Sequence, residues 1–156
     1  IEGGDVALDE VFKAVNKAAE LLESDNQPRA ILFETALHGE LLNLDEEDNK
    51  RHYAGGMSAN RINAGLGMII SQLLEKVGKE KVAGLYTTGG DTMVNVCYQL
   101  GVECIEVMDY VIPQTDVGRL VGSKYSGLPV VGKGGLTGND NTACDIVSRL
   151  FRESAR

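Results

Sequence analysis

The sequence predicts an α/β domain of three layers, with a mostly parallel sheet, helices on both faces and a hairpin at its C-terminal edge. Apolar residues recur at helical spacing in four segments, and short apolar runs of strand type lie between them. The two kinds of segment alternate along the chain, which is the pattern of strand–helix units sharing one sheet. At 156 residues there is material for one ordinary core, so residues 1–156 are expected to form a single domain.

Asp5 to Ser24 places Leu8, Val11, Phe12, Val15, Ala18, Ala19 and Leu22 on one stripe of a first helix, closed by the polar cluster Ser24–Pro28. Ala30–Phe33 reads as a buried strand, with Glu34 and Thr35 at its carboxyl end, where open α/β sheets line their ligand crevice. From His38 to Gly56 periodicity is lost around the charge run Asp45–Arg51. A mobile surface loop is expected there, and a lid over a site is the lesser reading. His38 and His52 have no metal-site spacing, so no metal ligands are assigned.

Ser58 can cap a second long helix whose inner face holds Ile62, Leu66, Ile69, Ile70, Leu73, Leu74 and Val77, with Gly78 closing it. Val82–Tyr86 is strand-like and leads through Thr87-Thr88-Gly89-Gly90-Asp91-Thr92 into a helix with Met93, Val96, Cys97 and Leu100 on one face. Val102–Met108 is the next strand. Val117–Val121 and Leu128–Val131 form a hairpin across Gly122–Gly127, placed at the sheet edge. The second of these runs into Gly132-Lys133-Gly134-Gly135-Leu136-Thr137-Gly138-Asn139-Asp140. A last helix follows with Ala143, Ile146, Val147, Leu150 and Phe151 inward.

Composition narrows the function. A net charge of −8 argues against a nucleic-acid partner, because binding a polyphosphate backbone requires a basic face. No apolar run approaches the length of a membrane span, and the first residues carry no secretion signal. Cys97, Cys104 and Cys144 form no paired motif, and reduced, buried, inert thiols in a cytoplasmic protein are expected. The absence of an initiator Met raises the expectation that the chain is part of a longer protein.

Two glycine turns stand out, because each joins a strand to a helix start. Bare N–H groups and the positive end of a helix dipole converge at such a turn and suit a phosphate or carboxylate. A plain turn with Asp91 or Thr92 as N-cap is the rival reading of the first. The dinucleotide fingerprint fails on Gly132, Gly134 and Gly138, which carry one residue too many before the last glycine. The P-loop pattern fails because Gly134 stands where a Ser or Thr should bind Mg²⁺. Two such turns in one chain still favour a shared nucleotide site over either turn alone.

Thr88-Gly89-Gly90-Asp91-Thr92, Gly118-Arg119-Leu120, Gly127-Leu128-Pro129-Val130-Val131, Lys133-Gly134-Gly135 and Gly138 together resemble the C-terminal nucleotide-binding domain of the four-carbon acid sugar kinases. The resemblance runs from about Ser58 to the end. It implies an ATP- and Mg²⁺-dependent kinase of erythronate, threonate or oxo-tetronate type. Gly89, Gly90, Asp91, Thr92, Lys133, Gly134, Gly135 and Gly138 would be the nucleotide-binding residues. Asp91 would cap its helix or orient Mg²⁺ through water, and Lys133 would offset phosphate charge. Thr137 replaces the aromatic residue of the family's loop, and Gln114-Thr115-Asp116 replaces its Gly-Val-Pro-like turn. The family's N-terminal acid-sugar domain has no counterpart here, so the chain is expected to be the nucleotide half of a two-domain kinase, inactive alone, with the catalytic base in the other half. A homo-oligomer is compatible with this reading, and the sugar acid is left unnamed. A non-enzymatic α/β nucleotide- or ligand-binding module is the alternative.

Overall fold

A computed structural model describes residues 1–36, 38, 39 and 41–155. Five helices, α1 (Asp5–Glu23), α2 (Leu44–Lys50), α3 (Met57–Val77), α4 (Gly90–Gln99) and α5 (Thr142–Ser154), surround four strands, β1 (Leu85–Thr88), β2 (Cys104–Ile112), β3 (Thr115–Val121) and β4 (Pro129–Lys133). The strands form one sheet in the order β1-β4-β3-β2. β1 pairs parallel with β4, whereas β3 is antiparallel to both β4 and β2. The three-layer α/β architecture is thus present, but its sheet is mixed rather than mostly parallel.

Chain order explains the mixture. After β1 and α4 the chain crosses to the far edge as β2, then returns by two hairpins until β4 lies beside β1. The expected β3–β4 hairpin exists, but it occupies the centre of the sheet, and β1 and β2 are the edges. A tighter hairpin joins β2 to β3 at Pro113–Gln114, where Gln114 takes a φ of 62°. It carries β2 on to Ile112, beyond the expected end at Met108, and register shifts accompany the extension.

The layers are held by two faces of alternating side chains. Leu85, Leu120 and Val130 meet Val96 and Leu100 of α4 and Leu74 of α3, with Tyr125 and Leu128 closing that cluster. On the opposite face Val117 and Val131 meet Ile146 and Leu150 of α5. Close approach depends on small residues: a Cβ at Gly132 would collide with Met93 of α4, and one at Gly67 would lie 2.8 Å from the Asn95 carbonyl, where α3 crosses α4. α1 packs outside α3 through Ala18 and Ala19 against Leu73 and Val77.

Several expectations change. The inner stripe of α5 is Ile146, Leu150 and Glu153; Ala143 and Phe151 are exposed, because the helix turns inward a single narrow row spaced four and then three residues apart. Leu8 and Phe12 on α1 are also exposed, since α3 covers only the flank holding Val11, Val15, Ala18 and Ala19. Ala30–Phe33 is not a strand. Ile31 and Phe33 pack beside the α1–α3 cluster, while the Arg29 guanidinium lies 5.1 Å from the Phe151 ring centroid. Cys97 is half-buried and burial pushes its thiol up, but Cys104 and Cys144 are exposed. Among the described residues no helix is long and apolar enough to cross a membrane.

The region 38–56 holds a helix rather than only a loop, within the residues described. The Asn43 side chain accepts from Glu46 N–H and its amide donates to the Glu46 carboxylate, an N-cap reinforced by a side-chain pair that starts α2. Arg51 then closes α2 and His52 takes a left-handed φ of 56°. The buried Asp48 carboxylate accepts from Gly56 N–H at 2.7 Å and Ser58 N–H at 2.8 Å, so Asp48, not Ser58, anchors the start of α3. The neighbouring Ser58 hydroxyl, with these N–H groups, outweighs burial and holds the Asp48 carboxyl below its usual range.

A carboxyl depressed by folding stabilises above its unfolded pKa, and that increment is lost as pH falls through the folded value. Asp48→Asn should therefore lower the melting temperature at pH 7 by several degrees. The gap to wild type should close as the pH is brought below about 4. Thermal melts from pH 3 to 8 check this, and a pH-independent gap would contradict it. Gly132→Ala should cost about 1–3 kcal/mol by overpacking against Met93, read from urea midpoints.

Candidate functional site

The two glycine turns, more than forty residues apart in sequence, meet at the carboxyl ends of neighbouring parallel strands. Thr88 is in register with Lys133, and Gly89 N–H donates to the Lys133 carbonyl at 3.0 Å. Gly89 then leaves the strand with φ 93° and ψ 132°, a conformation strained for a residue with a Cβ. Its own carbonyl accepts from Met93 N–H at 3.2 Å, so Gly89 is the N-cap of α4 and Gly90 its first residue. Neither Asp91 nor Thr92 is the N-cap. No side chain caps this helix, which leaves its leading N–H groups and the positive end of its dipole at the surface.

Asp91 lies exposed in the first turn of α4. The Thr92 hydroxyl turns inward and donates to Asn63 Oδ1 of α3 at 2.8 Å, which fixes the rotation of α4 at its N-terminus. Asn63 was not singled out by sequence reasoning. Its signal is weak, one polar residue on the flank of an apolar stripe. Gln114, named above only as a departure from the family's turn, also supports the site: its carbonyl, at the β2–β3 turn, accepts from Gly134 N–H at 3.0 Å.

Beyond β4 the second turn folds on itself. The Thr137 hydroxyl and N–H both reach the Gly134 carbonyl, at 3.0 and 3.4 Å. The Lys133 ammonium, expected to face a ligand, instead donates to the carbonyls of Gly134 (2.6 Å), Thr137 (2.9 Å) and Gly135 (3.4 Å). Gly138 takes a φ of 100°, and a Cβ there would strike the Thr142 side chain. Its glycine serves the start of α5, where Thr142 Oγ1 accepts from Asn139 N–H at 2.8 Å. Leu136 is fully exposed at the tip.

Seven of the eight candidate residues therefore lie where β1 and β4 leave the sheet together, and Gly138 closes the second turn with its Cα against Thr142. Gly90 and Gly135 are distinctive there: a Cβ on either meets nothing within 4 Å, and neither has a positive φ. Their small size serves no packing need within the described residues. Bare backbone facing open space, an uncapped helix start and a left-handed exit at Gly89 suit a compact anion with several acceptor oxygens.

A groove of about 730 Å³ lies elsewhere, lined by Arg29, Val111, Asp145, Ser148, Phe151 and Arg152. It runs along the side of α5 from Asp145 in the first turn to Arg152 in the last. Among the described residues no cluster of three or more His, Cys, Asp or Glu is arranged to hold a metal. A Mg²⁺ that arrives with phosphates retains waters and takes one or two carboxylates, a need Asp91 can meet.

The family profile described as the nucleotide-binding C-terminal domain matches residues 2–143. Over 93 residues the chain is 44% identical to D-erythronate kinase of Heliobacterium modesticaldum, covering 60% of this chain and 21% of that protein. Over 144 residues it is 30% identical to D-threonate kinase of Salmonella typhimurium, covering 92% of this chain and 33% of that one. The chain thus spans a third or less of the length of these relatives. A crystal structure of a domain of unknown function from Bordetella bronchiseptica, a domain-swapped dimer with bound citrate, superposes with a TM-score of 0.59 at 22% identity. It covers 97% of this chain and 38% of that one, a likeness of fold. With two glycine turns on adjacent strand ends, and with its length matched almost throughout by that profile, the chain belongs to the nucleotide-binding C-terminal domains of the four-carbon acid sugar kinase family.

Proposed function

We propose that this chain is the ATP-holding part of a kinase that phosphorylates a four-carbon sugar acid of the erythronate or threonate type. The observation that carries the reading is the pairing of Thr88 with Lys133, which brings the two glycine turns, with the unobstructed backbones of Gly90 and Gly135, to the same end of the sheet. The N–H groups that open α4 and those of the 133–138 turn take the phosphate oxygens. Thr92, tied to Asn63, keeps the helix aimed, and Asp91 takes Mg²⁺ through its water shell. When bound, Mg-ATP supplies the transferable phosphoryl group and the cation that offsets its charge.

What this chain contributes is positioning and charge stabilisation, which supply most of the catalysis in phosphoryl transfer. The sugar-acid pocket and the base for its hydroxyl belong to a partner domain that closes over the shelf, in a cytoplasmic enzyme that a homo-oligomer would also suit. The acidic chain, at −8, is a poor surface for a free carboxylate substrate, which supports this division of labour. A non-enzymatic nucleotide-binding module is the rival reading, and the exposed shelf is compatible with it.

Calorimetric titration should give a dissociation constant for ADP with Mg²⁺ of about tens of micromolar or weaker, because only one wall of the site is present. Gly90→Val and Gly135→Val should each weaken binding at least about tenfold while shifting the melting temperature little, since neither side chain meets protein. Wild-type affinity in both variants would mean the turns are only turns.

Phosphoryl transfer is expected to need more than this chain. Incubated with erythronate or threonate and Mg-ATP, the chain should release no ADP above background, whereas the complete gene product should turn over. Robust turnover by the chain alone would overturn the division between the two halves. Nucleotide binding without turnover in the complete product would favour the rival module.

A further inference from the structure

The ammonium of Lys133 has three N–H donors and no acceptor capacity. It is directed at three carbonyls of its own turn, those of Gly134, Gly135 and Thr137. A lysine engaged in this way has no donor left to point at a phosphate. Its effect on the backbone is the more informative part. In a planar trans peptide the C=O and the following N–H point in opposite directions, so drawing a carbonyl inward turns the next N–H outward.

Applied to this turn, the three captured carbonyls send the N–H groups of Gly135, Leu136 and Gly138 away from the ammonium. The hydrogen bonds divide the same way. Gly134 N–H is bonded to the Gln114 carbonyl and Thr137 N–H to the Gly134 carbonyl, whereas the N–H groups of Gly135, Leu136 and Gly138 have no acceptor among the described residues. With the carbonyls gathered inside the turn, these three donors are left on its outer side, available to the acceptor oxygens of an anion.

We propose that Lys133 is a positioning residue: a staple that gathers the turn's carbonyls so that its amides face the nucleotide phosphates, in place of a side chain that itself pairs with phosphate. The proposal rests on the nucleotide reading for the identity of the anion, but not for the staple itself. It separates two uses of the same charge. A direct ion pair needs only a cation of suitable reach. The staple needs a compact ammonium whose three donors converge on three carbonyls, which the planar fork of arginine does not reproduce.

The test compares wild type, Lys133→Arg and Lys133→Met, each first checked for an intact fold by its melting curve. In nucleotide-free protein, amide exchange at Gly134 and Thr137 should quicken about tenfold or more in both variants. ADP affinity should fall about tenfold or more in both, with Arg no better than Met. Unchanged exchange in Lys133→Met overturns the staple. Near wild-type ADP affinity in Lys133→Arg, with loss only in Lys133→Met, overturns it in favour of a direct phosphate contact. If wild type binds no ADP while the exchange difference stands, the staple is upheld and the nucleotide reading falls.

Discussion

One hydrogen bond organises the functional end of this domain: Gly89 N–H to the carbonyl of Lys133. It extends the β1–β4 ladder by one step past Thr88, at the point where both chains turn out of the sheet. Because the pairing is parallel, both exits lie at the same end, and the two helices that follow, α4 and α5, leave to opposite faces. An antiparallel pairing of the same strands would put the turns at opposite ends. The route through β2 and β3 serves the site, since it brings β4 back beside β1 in the same direction.

Local donors, not net charge, govern what such a shelf can hold. The chain is acidic overall, yet the ends of β1 and β4 offer an uncapped helix start and a turn whose carbonyls are already engaged. Within about 10 Å such oriented dipoles outweigh distant, screened carboxylates. Rigidity comes from behind. Thr92 is bonded to Asn63, Gly134 to Gln114, and Met93 fills the space that a side chain at residue 132 would otherwise take. α3, which supplies Asn63, is itself anchored at its start by Asp48.

The parts of this architecture that are local in sequence were legible in it. A strand, two glycines and an amphipathic helix can be read directly from residues 82–100, and so can α1 and α3 from their stripes. Strand order was not legible, because periodicity says which residues are buried and is silent on which strand lies beside which. The alternation of strands and helices favoured a parallel sheet, and the two-residue turn at Pro113–Gln114 was hidden by the absence of a glycine where Gln114 takes its positive φ. Residues 43–51 show a different failure. The charge run masked an Asn-x-x-Glu cap, and a buried Asp48 cannot be told from its exposed acidic neighbours until its N–H partners are seen. At the site, the residue types of Gly89–Thr92 and Lys133–Gly135 pointed to one place. The direction of the Lys133 ammonium could not be read, because it depends on carbonyls that only the folded turn brings within reach.

β1 is the outermost strand on its side, with a single ladder to β4 and only four residues in it. Detaching such a strand breaks half the hydrogen bonds that releasing a central one would, so opening at this edge is among the least costly partial unfoldings available to the domain. Those same few residues hold Gly89 in place. On the proposed reading, an anion bound across both turns would tie segments far apart in the chain and oppose that opening more strongly as its concentration rises over its dissociation constant. Occupancy of the shelf and integrity of the sheet edge would then be one equilibrium, with the domain most cohesive when it is loaded.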